Sequence, residues 1–203
     1  NHGAQVTSIV LHPSNDYVVT AGMDKNWMFH DINTGITITE AKSKIAPLSC
    51  AQLHPDGLLL GSGSVKGSVH IWDINSQDSV AEFTGHTGKV TALSFSENGY
   101  YLASASEDNT VRIWDLRKLN TIQTIQVQGK KTGAQDIQFD HSGTYLSIAA
   151  GNVVEIYQSK IWKQLGTLDS HSKTVTAVAF GTDAKYIAST SLDRTLQISS
   201  LKN

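Results

Sequence analysis

An all-β fold assembled from a repeated four-strand unit is what this sequence predicts, and three observations predict it. Ile71-Trp72-Asp73 recurs as Ile113-Trp114-Asp115, an interval of 42 residues. Leu11, Leu53 and Phe95 keep the same interval, Asp24 and Asp108 stand 84 apart, and Asp193 follows 85 later. Between these markers short apolar runs alternate with turn clusters, and no stretch holds a helical period. A period of about 40–45 residues closed by Trp-Asp marks a β-propeller array, one four-stranded blade per repeat.

Five units can be laid over one another. The third is the clearest: Val90–Phe95 is a strand, Glu97-Asn98-Gly99 a turn, Tyr100–Ser104 a second strand, and Asp108-Asn109 turns into Thr110–Trp114. Alternating apolar residues in the first and third runs suit a strand, whose successive side chains point to opposite faces. Gly99 and the Asp108-Asn109 pair supply the turn chemistry. The first unit repeats this as Val6–Leu11, Tyr17–Thr20 and Asn26–His30. The second runs from Leu48 to Asp73, the fourth from Ala134 to Tyr157, the fifth from Val175 to Ser199. Outer strands are expected at Gly35–Glu40, Ser79–Thr84, Thr121–Val127 and Trp162–Leu168, and none after the fifth unit. The unit boundaries fall at about 1–40, 41–84, 85–127, 128–168 and 169–203 of a single 1–203 array. That gives nineteen strands and no closing outer strand. An open ring exposes strand edges and an apolar blade face, so the native ring is expected to be larger than five blades. The start at Asn1, already inside a repeat and without Met, reads as a piece of a longer protein.

Composition narrows the function. Formal net charge is −2, so no global basic field points to nucleic acid, and no direct nucleic-acid partner is expected. Arg112, Arg117 and Lys118 are a local basic cluster whose plain reading is solvated surface. Cys50 is the single cysteine and reads as a small core residue of a reducing compartment. No apolar run reaches the length of a membrane span, and no membrane partner is expected.

Candidate chemistry is sparse. His86, Ser104, Asp108 and Trp114 resemble a catalytic set in composition, and His171, Ser189 and Asp193 repeat three of the four, so a structural role at a repeat position outweighs catalysis. Trp72 keeps the Trp position in the second unit, where Lys66 replaces the Asp. The first unit has His2, Thr20 and Asp24 with His30 at the Trp position, and the fourth has Ile148 and Tyr157. The eight histidines come with no cysteine partners and no helical His pair, so no metal is expected. Gly85-His86-Thr87-Gly88 lacks the Lys-Ser/Thr and helix of a phosphate loop, and the turn carboxylates lie one per unit. No catalytic residue and no cofactor are expected.

In the WD-repeat family, which these units resemble, the loop His, turn Asp, strand Ser or Thr and the Trp can form one buried hydrogen-bond chain. The longer strings are more specific. His54-Pro55-Asp56-Gly57, Phe95–Ala103, Trp114–Leu119, Ser142–Leu146 and Ala184–Ser189 resemble the C-terminal propeller of the pre-mRNA-processing factor 19 family across essentially the whole chain. The resemblance implies a seven-bladed ring, of which these would be the last five units. It implies a nuclear U-box ubiquitin ligase that scaffolds a spliceosome-associated complex, with the U-box and a tetramer-forming coiled coil N-terminal to the propeller and absent here. The chain itself would be the non-catalytic part that recognises splicing subunits and ubiquitination substrates. Rings of this type often bind partners at the channel rim, which here means Met23, Val65, Glu107 and Leu192 before the turn Asp, with Lys89 and Thr174 at the entry to the inner strand. The competing readings are an adaptor of another intracellular complex and, disfavoured by the lack of converging polar residues, a propeller enzyme.

Overall fold

The computed structural model describes residues 1–44, 46–127 and 132–200. Every regular element in them is a β-strand. The chain divides into two compact units, Asn1–Leu93 and Ser94–Asn203, with the division inside one strand.

In the first unit β1 (Val6–Leu11), β2 (Tyr17–Gly22), β3 (Asn26–Asp31) and β4 (Thr37–Lys42) form one antiparallel meander, and β5 (Leu48–Leu53), β6 (Leu59–Ser64), β7 (Val69–Asp73) and β8 (Ser79–Phe83) a second. β9 (Val90–Phe95) carries the division and belongs to the sheet of β10 (Tyr101–Ser106), β11 (Thr110–Asp115) and β12 (Asn120–Gln126). β13 (Ala134–Phe139), β14 (Tyr145–Ala150), β15 (Val153–Gln158) and β16 (Lys163–Leu168) follow as the fourth sheet. β17 (Val175–Phe180), β18 (Tyr186–Ser191) and β19 (Leu196–Ser200) make the fifth, with three strands among the described residues. These are five antiparallel sheets of the propeller-blade kind, as the 42-residue interval implies.

The first outer strand begins at Thr37, two residues later than the Gly35 start expected from sequence. Asp31 is the reason: its Oδ1 accepts the N–H of Asn33 and of Thr34, which prolongs the turn, and Gly35 completes it at a left-handed φ of 70°. A second feature repeats in every four-stranded sheet for which the pairing is described. The register slips by one residue just before the Trp position, between Phe29 and His30, Ile71 and Trp72, Ile113 and Trp114, and Ile156 and Tyr157. A matching irregularity sits near the start of β1, β5, β13 and β17. Such bulges sharpen the right-handed twist of the strand that carries them.

The core lies between sheets. In the first unit Val19, Ala21 and Trp27 of one sheet pack with Leu48, Leu53 and Trp72 of the next, and the two indoles meet at 6.3 Å and 62°. In the second unit Ala149 and Val154 pack against Val175 and Val178. Covering is uneven along the repeat. Ala51 of β5 is 7% exposed, whereas Ile9, its repeat equivalent in β1, is 70% exposed. Ile156 of β15 is 4% exposed, and its equivalent Ile198 in β19 is 69% exposed.

Two glycines test how tightly the turns are specified. Both have left-handed φ, 70° at Gly35 and 86° at Gly67. A Cβ at Gly35 would meet nothing within 4 Å, but at Gly67 it would fall 2.5 Å from the carbonyl oxygen of His86. Gly35→Ala should therefore cost only the left-handed penalty, about 1 kcal/mol, and Gly67→Ala about 3 kcal/mol or more through added overpacking. Urea denaturation of the two variants gives the comparison.

Candidate functional site

The polar residues singled out by the repeat lie at the turns between second and third strands, on the strands that flank them and, for His2, His86 and His171, in the segment before the first strand. In the fifth sheet the chain of contacts is complete up to the serine. Asp193 Oδ2 stands 3.0 Å from His171 Nδ1, and His171 Nε2 stands 2.8 Å from Ser189 Oγ. Asp193 also accepts the N–H groups of Ser172 and Thr195 and the Thr195 hydroxyl. The Thr195 hydroxyl is the largest influence holding the Asp193 carboxyl well below its ordinary value, against burial and with help from the two backbone N–H groups and His171. Ser199 stands where an indole would close the chain.

In the third sheet Trp114 Nε1 donates to Ser104 Oγ at 2.8 Å. Asp108 Oδ1 accepts the Thr110 N–H at 2.9 Å and its hydroxyl at 2.6 Å, fixing the turn. His86 belongs to the first compact unit, where it is buried. Trp72 repeats the Trp114 arrangement with Ser62 at 2.8 Å. Lys66 cannot take the part of Asp108, and Ser64 takes it instead: its Oγ accepts the N–H of Lys66 and of Ser68 and contacts the Ser68 hydroxyl at 2.8 Å.

The first sheet holds the longest chain. Asp24 Oδ2 meets His2 Nδ1 at 2.9 Å, His2 Nε2 meets Thr20 Oγ1 at 2.8 Å, Thr20 meets His30 Nε2 at 2.9 Å, and His30 Nδ1 meets Thr37 Oγ1 at 3.0 Å. A proton on His2 Nδ1 and one on His30 Nε2 satisfy every link of this chain. Burial lowers the basicity of His30. Sequence spacing places His2, Thr20 and Asp24 in this set, but the reach of His30 to the outer strand is visible only in three dimensions. In the fourth sheet Tyr157 stands at the Trp position, and its hydroxyl donates to the fully buried Glu155 at 2.8 Å. Burial, then the hydrogen bond and charge of Glu155, push the phenol pKa up, so Tyr157 stays the donor.

The residues expected at the rim sit at the same turns or at the entry to the inner strands. The N–H of Met23 donates to Gln5 O, that of Val65 to Pro47 O and that of Leu192 to Thr174 O. The turn residue and the residue entering the inner strand are thus hydrogen-bonded neighbours, with Leu192 and Thr174 brought together in the second unit. Glu107 is exposed, and the backbone of Gly133 lies against it, close enough that a Cβ there would stand 2.6 Å from Glu107 Cα. Lys89 is half-buried in the first unit. Among the described residues no group of three His, Cys, Asp or Glu is placed to hold a metal ion.

Repeated sheets closed by Trp-Asp, with a Ser–indole bond beneath, define a WD-repeat region. The chain belongs to the WD domain, G-beta repeat family, whose family model matches residues 1–31, 37–73, 77–115 and 162–198. The unmatched stretch contains β13–β15, where Tyr157 replaces the indole. Over 98% of its length the chain is 43% identical to pre-mRNA-processing factor 19 of Bos taurus and, in a longer alignment, 43% identical to that of Homo sapiens. The Caenorhabditis elegans pre-mRNA-processing factor 19 is 46% identical over 97% of the chain. The chain spans 40% of the length of the Bos taurus and Caenorhabditis elegans relatives and 48% of the human one.

Two outcomes follow from the geometry. Ser104→Ala strips the acceptor from a buried indole N–H and should lower unfolding free energy by about 1–3 kcal/mol in urea. Asp193 titrates below its ordinary value of 3.8 when folded, so its stabilising contribution is present above about pH 4 and is lost as pH falls. The melting temperature of Asp193→Asn should therefore fall less steeply between about pH 5 and pH 2 than that of the unmodified chain.

Proposed function

We propose that these 203 residues are one WD-repeat array, units at about 1–40, 41–84, 85–127, 128–168 and 169–203, forming the protein-binding part of a nuclear U-box ubiquitin ligase that scaffolds a spliceosome-associated complex. The observation that carries this reading is the 43% identity to pre-mRNA-processing factor 19 along 98% of the chain. Ligase chemistry is assigned to a U-box, and tetramer formation to a coiled coil, in the portion of such proteins that these residues do not cover. The residues here recognise splicing subunits and substrates, and the ring they contribute to has seven blades. The bonds of Ser104, Asp108 and Trp114, of His171, Ser189 and Asp193, and of Trp72 hold the turns that present the rim, and the buried His86 has a structural part rather than a catalytic one. Met23, Val65, Lys89, Glu107, Thr174 and Leu192 are the rim positions that meet partners. Leu192 supports this role because it is a large apolar side chain held in water by its own turn, and Glu107 because Gly133 braces its backbone.

Capture of splicing-complex subunits from nuclear extract tests the proposal. Lys89→Glu, Glu107→Lys and Leu192→Asp, made singly and together, should each reduce capture, with the triple change reducing it at least about tenfold. Undiminished capture by a folded triple variant would show that the rim is the wrong surface.

A further inference from the structure

The turns joining third to fourth strands share one backbone shape. Gly35, Gln77, Leu119 and Trp162 occupy its left-handed position with φ of 70°, 64°, 51° and 52°. Glycine is the unstrained choice there, and a bulky apolar residue is the costly one. In the second compact unit both turns take the costly choice. Strain of this kind persists where surrounding contacts or a function maintain it.

Contacts account for one of the two. Trp162 packs edge-on against Tyr101 at 6.2 Å and lies 6.3 Å from Phe139, which joins its turn to the neighbouring sheet within that unit. Leu119 is 57% exposed and has no such explanation. Beside it Arg117 is clamped by Asp115, with Nη2–Oδ2 at 3.0 Å and Nε–Oδ1 at 3.2 Å, and its guanidinium lies 4.3 Å over the Tyr100 ring. Ile161, next to Trp162, is also exposed. Arg117 also lies 5.9 Å from the Tyr101 ring against which Trp162 packs, so the two turns, with Leu119 and Ile161 exposed on them, share one aromatic base, and this strip lies at the opposite end of the strands from Glu107 and Leu192.

On these two turns the free charge is cationic. Asp115, the carboxylate of the first, is spent on Arg117, while Glu97 and Asp140 lie on other turns, where Asp140 accepts the N–H groups of Ser142 and Tyr145. Lys118, Lys160 and Lys163 are exposed on the same two turns, and among the described residues none has a carboxylate within ion-pair distance. Aliphatic side chains alternate with unpaired ammonium groups.

We infer that this strip is a second docking surface, and that it takes an extended acidic peptide carrying apolar side chains. Leu119 and Ile161 receive the apolar side chains, and the lysines receive the carboxylates. The rings favour peptide over single-stranded RNA: Arg117 stacks on Tyr100, and Trp162 is engaged in near-perpendicular contacts with Tyr101 and Phe139, so the aromatic rings beside the lysines are already partnered. The inference rests on the protein-binding reading above but uses none of the rim residues.

Fluorescence anisotropy with the full chain tests it. The probes are a fluorescein-labelled peptide of alternating Glu and Leu, the same peptide with Lys for Glu, and labelled oligouridylate. The acidic peptide should bind saturably and weaken between about 50 and 500 mM salt. Combined Lys118→Glu, Lys160→Glu and Lys163→Glu should weaken it at least about tenfold. Leu119→Gly should weaken it several-fold while leaving the melting temperature unchanged or higher, which a purely structural leucine would not do. Glu107→Lys should leave it intact. No saturable binding, equal binding of the charge-swapped peptide, tighter binding of oligouridylate, or insensitivity to both the lysine and the Leu119 changes would overturn the inference. If the peptide fails while splicing subunits are still captured, this surface falls and the rim reading stands.

Discussion

A blade of this type has apolar side chains on both faces, and a single sheet can hide neither. Val154 and Ile156 of β15 and Val178 of β17 are buried because adjacent sheets meet over them, and the same holds for Leu60, Leu53 and Trp72 in the first unit. At about 25 cal/mol per Å² of apolar surface, face-to-face stacking is the largest stabilising contribution available to strands of five to seven residues. The repeated bulge before the Trp position gives each sheet the twist that stacking requires. Turn chemistry and the hydrogen-bonded networks are both arranged around that stacking.

The polar networks answer a difficulty that stacking creates. Burying an indole or imidazole between sheets removes its N–H from water, and an unmade hydrogen bond there is expensive. Trp72 and Trp114 resolve it with a serine on the neighbouring strand, and His30 resolves it with threonines on both sides. Trp27 does not: fully buried, its N–H finds no acceptor among the described residues, and its ring meets that of Trp72 at 62°. The role of the turn Asp is likewise chemical, not residue-bound, since the Ser64 hydroxyl holds the second turn where Lys66 has displaced it. A blade tolerates loss of its signature residues when another group supplies the acceptor.

The 42-residue interval made the strands legible, because alternation in Val90–Phe95 and turn residues such as Gly99 express local backbone requirements. The Trp72 and Trp114 positions were legible for the same reason. What escaped the sequence depends on how strands sit together. The one-residue slip before each Trp position leaves no mark on composition, nor does the continuation of the His2 chain through His30 to Thr37. The substitution of Ser64 for Lys66 needed the turn geometry. The left-handed backbone at Leu119 and Trp162 is hidden because the residue types argue against it. Arg117 and Lys118 read in sequence as ordinary solvated charge, whereas the structure separates them: one is clamped and stacked, the other unpaired.

The uneven covering of the repeat also has a colloidal meaning. Ile9 on β1 and Ile198 on β19 are exposed where their repeat equivalents Ala51 and Ile156 are covered by a neighbouring sheet. An apolar side chain left in water gains nothing until something covers it, and salting-out ions, which strengthen burial, favour that covering.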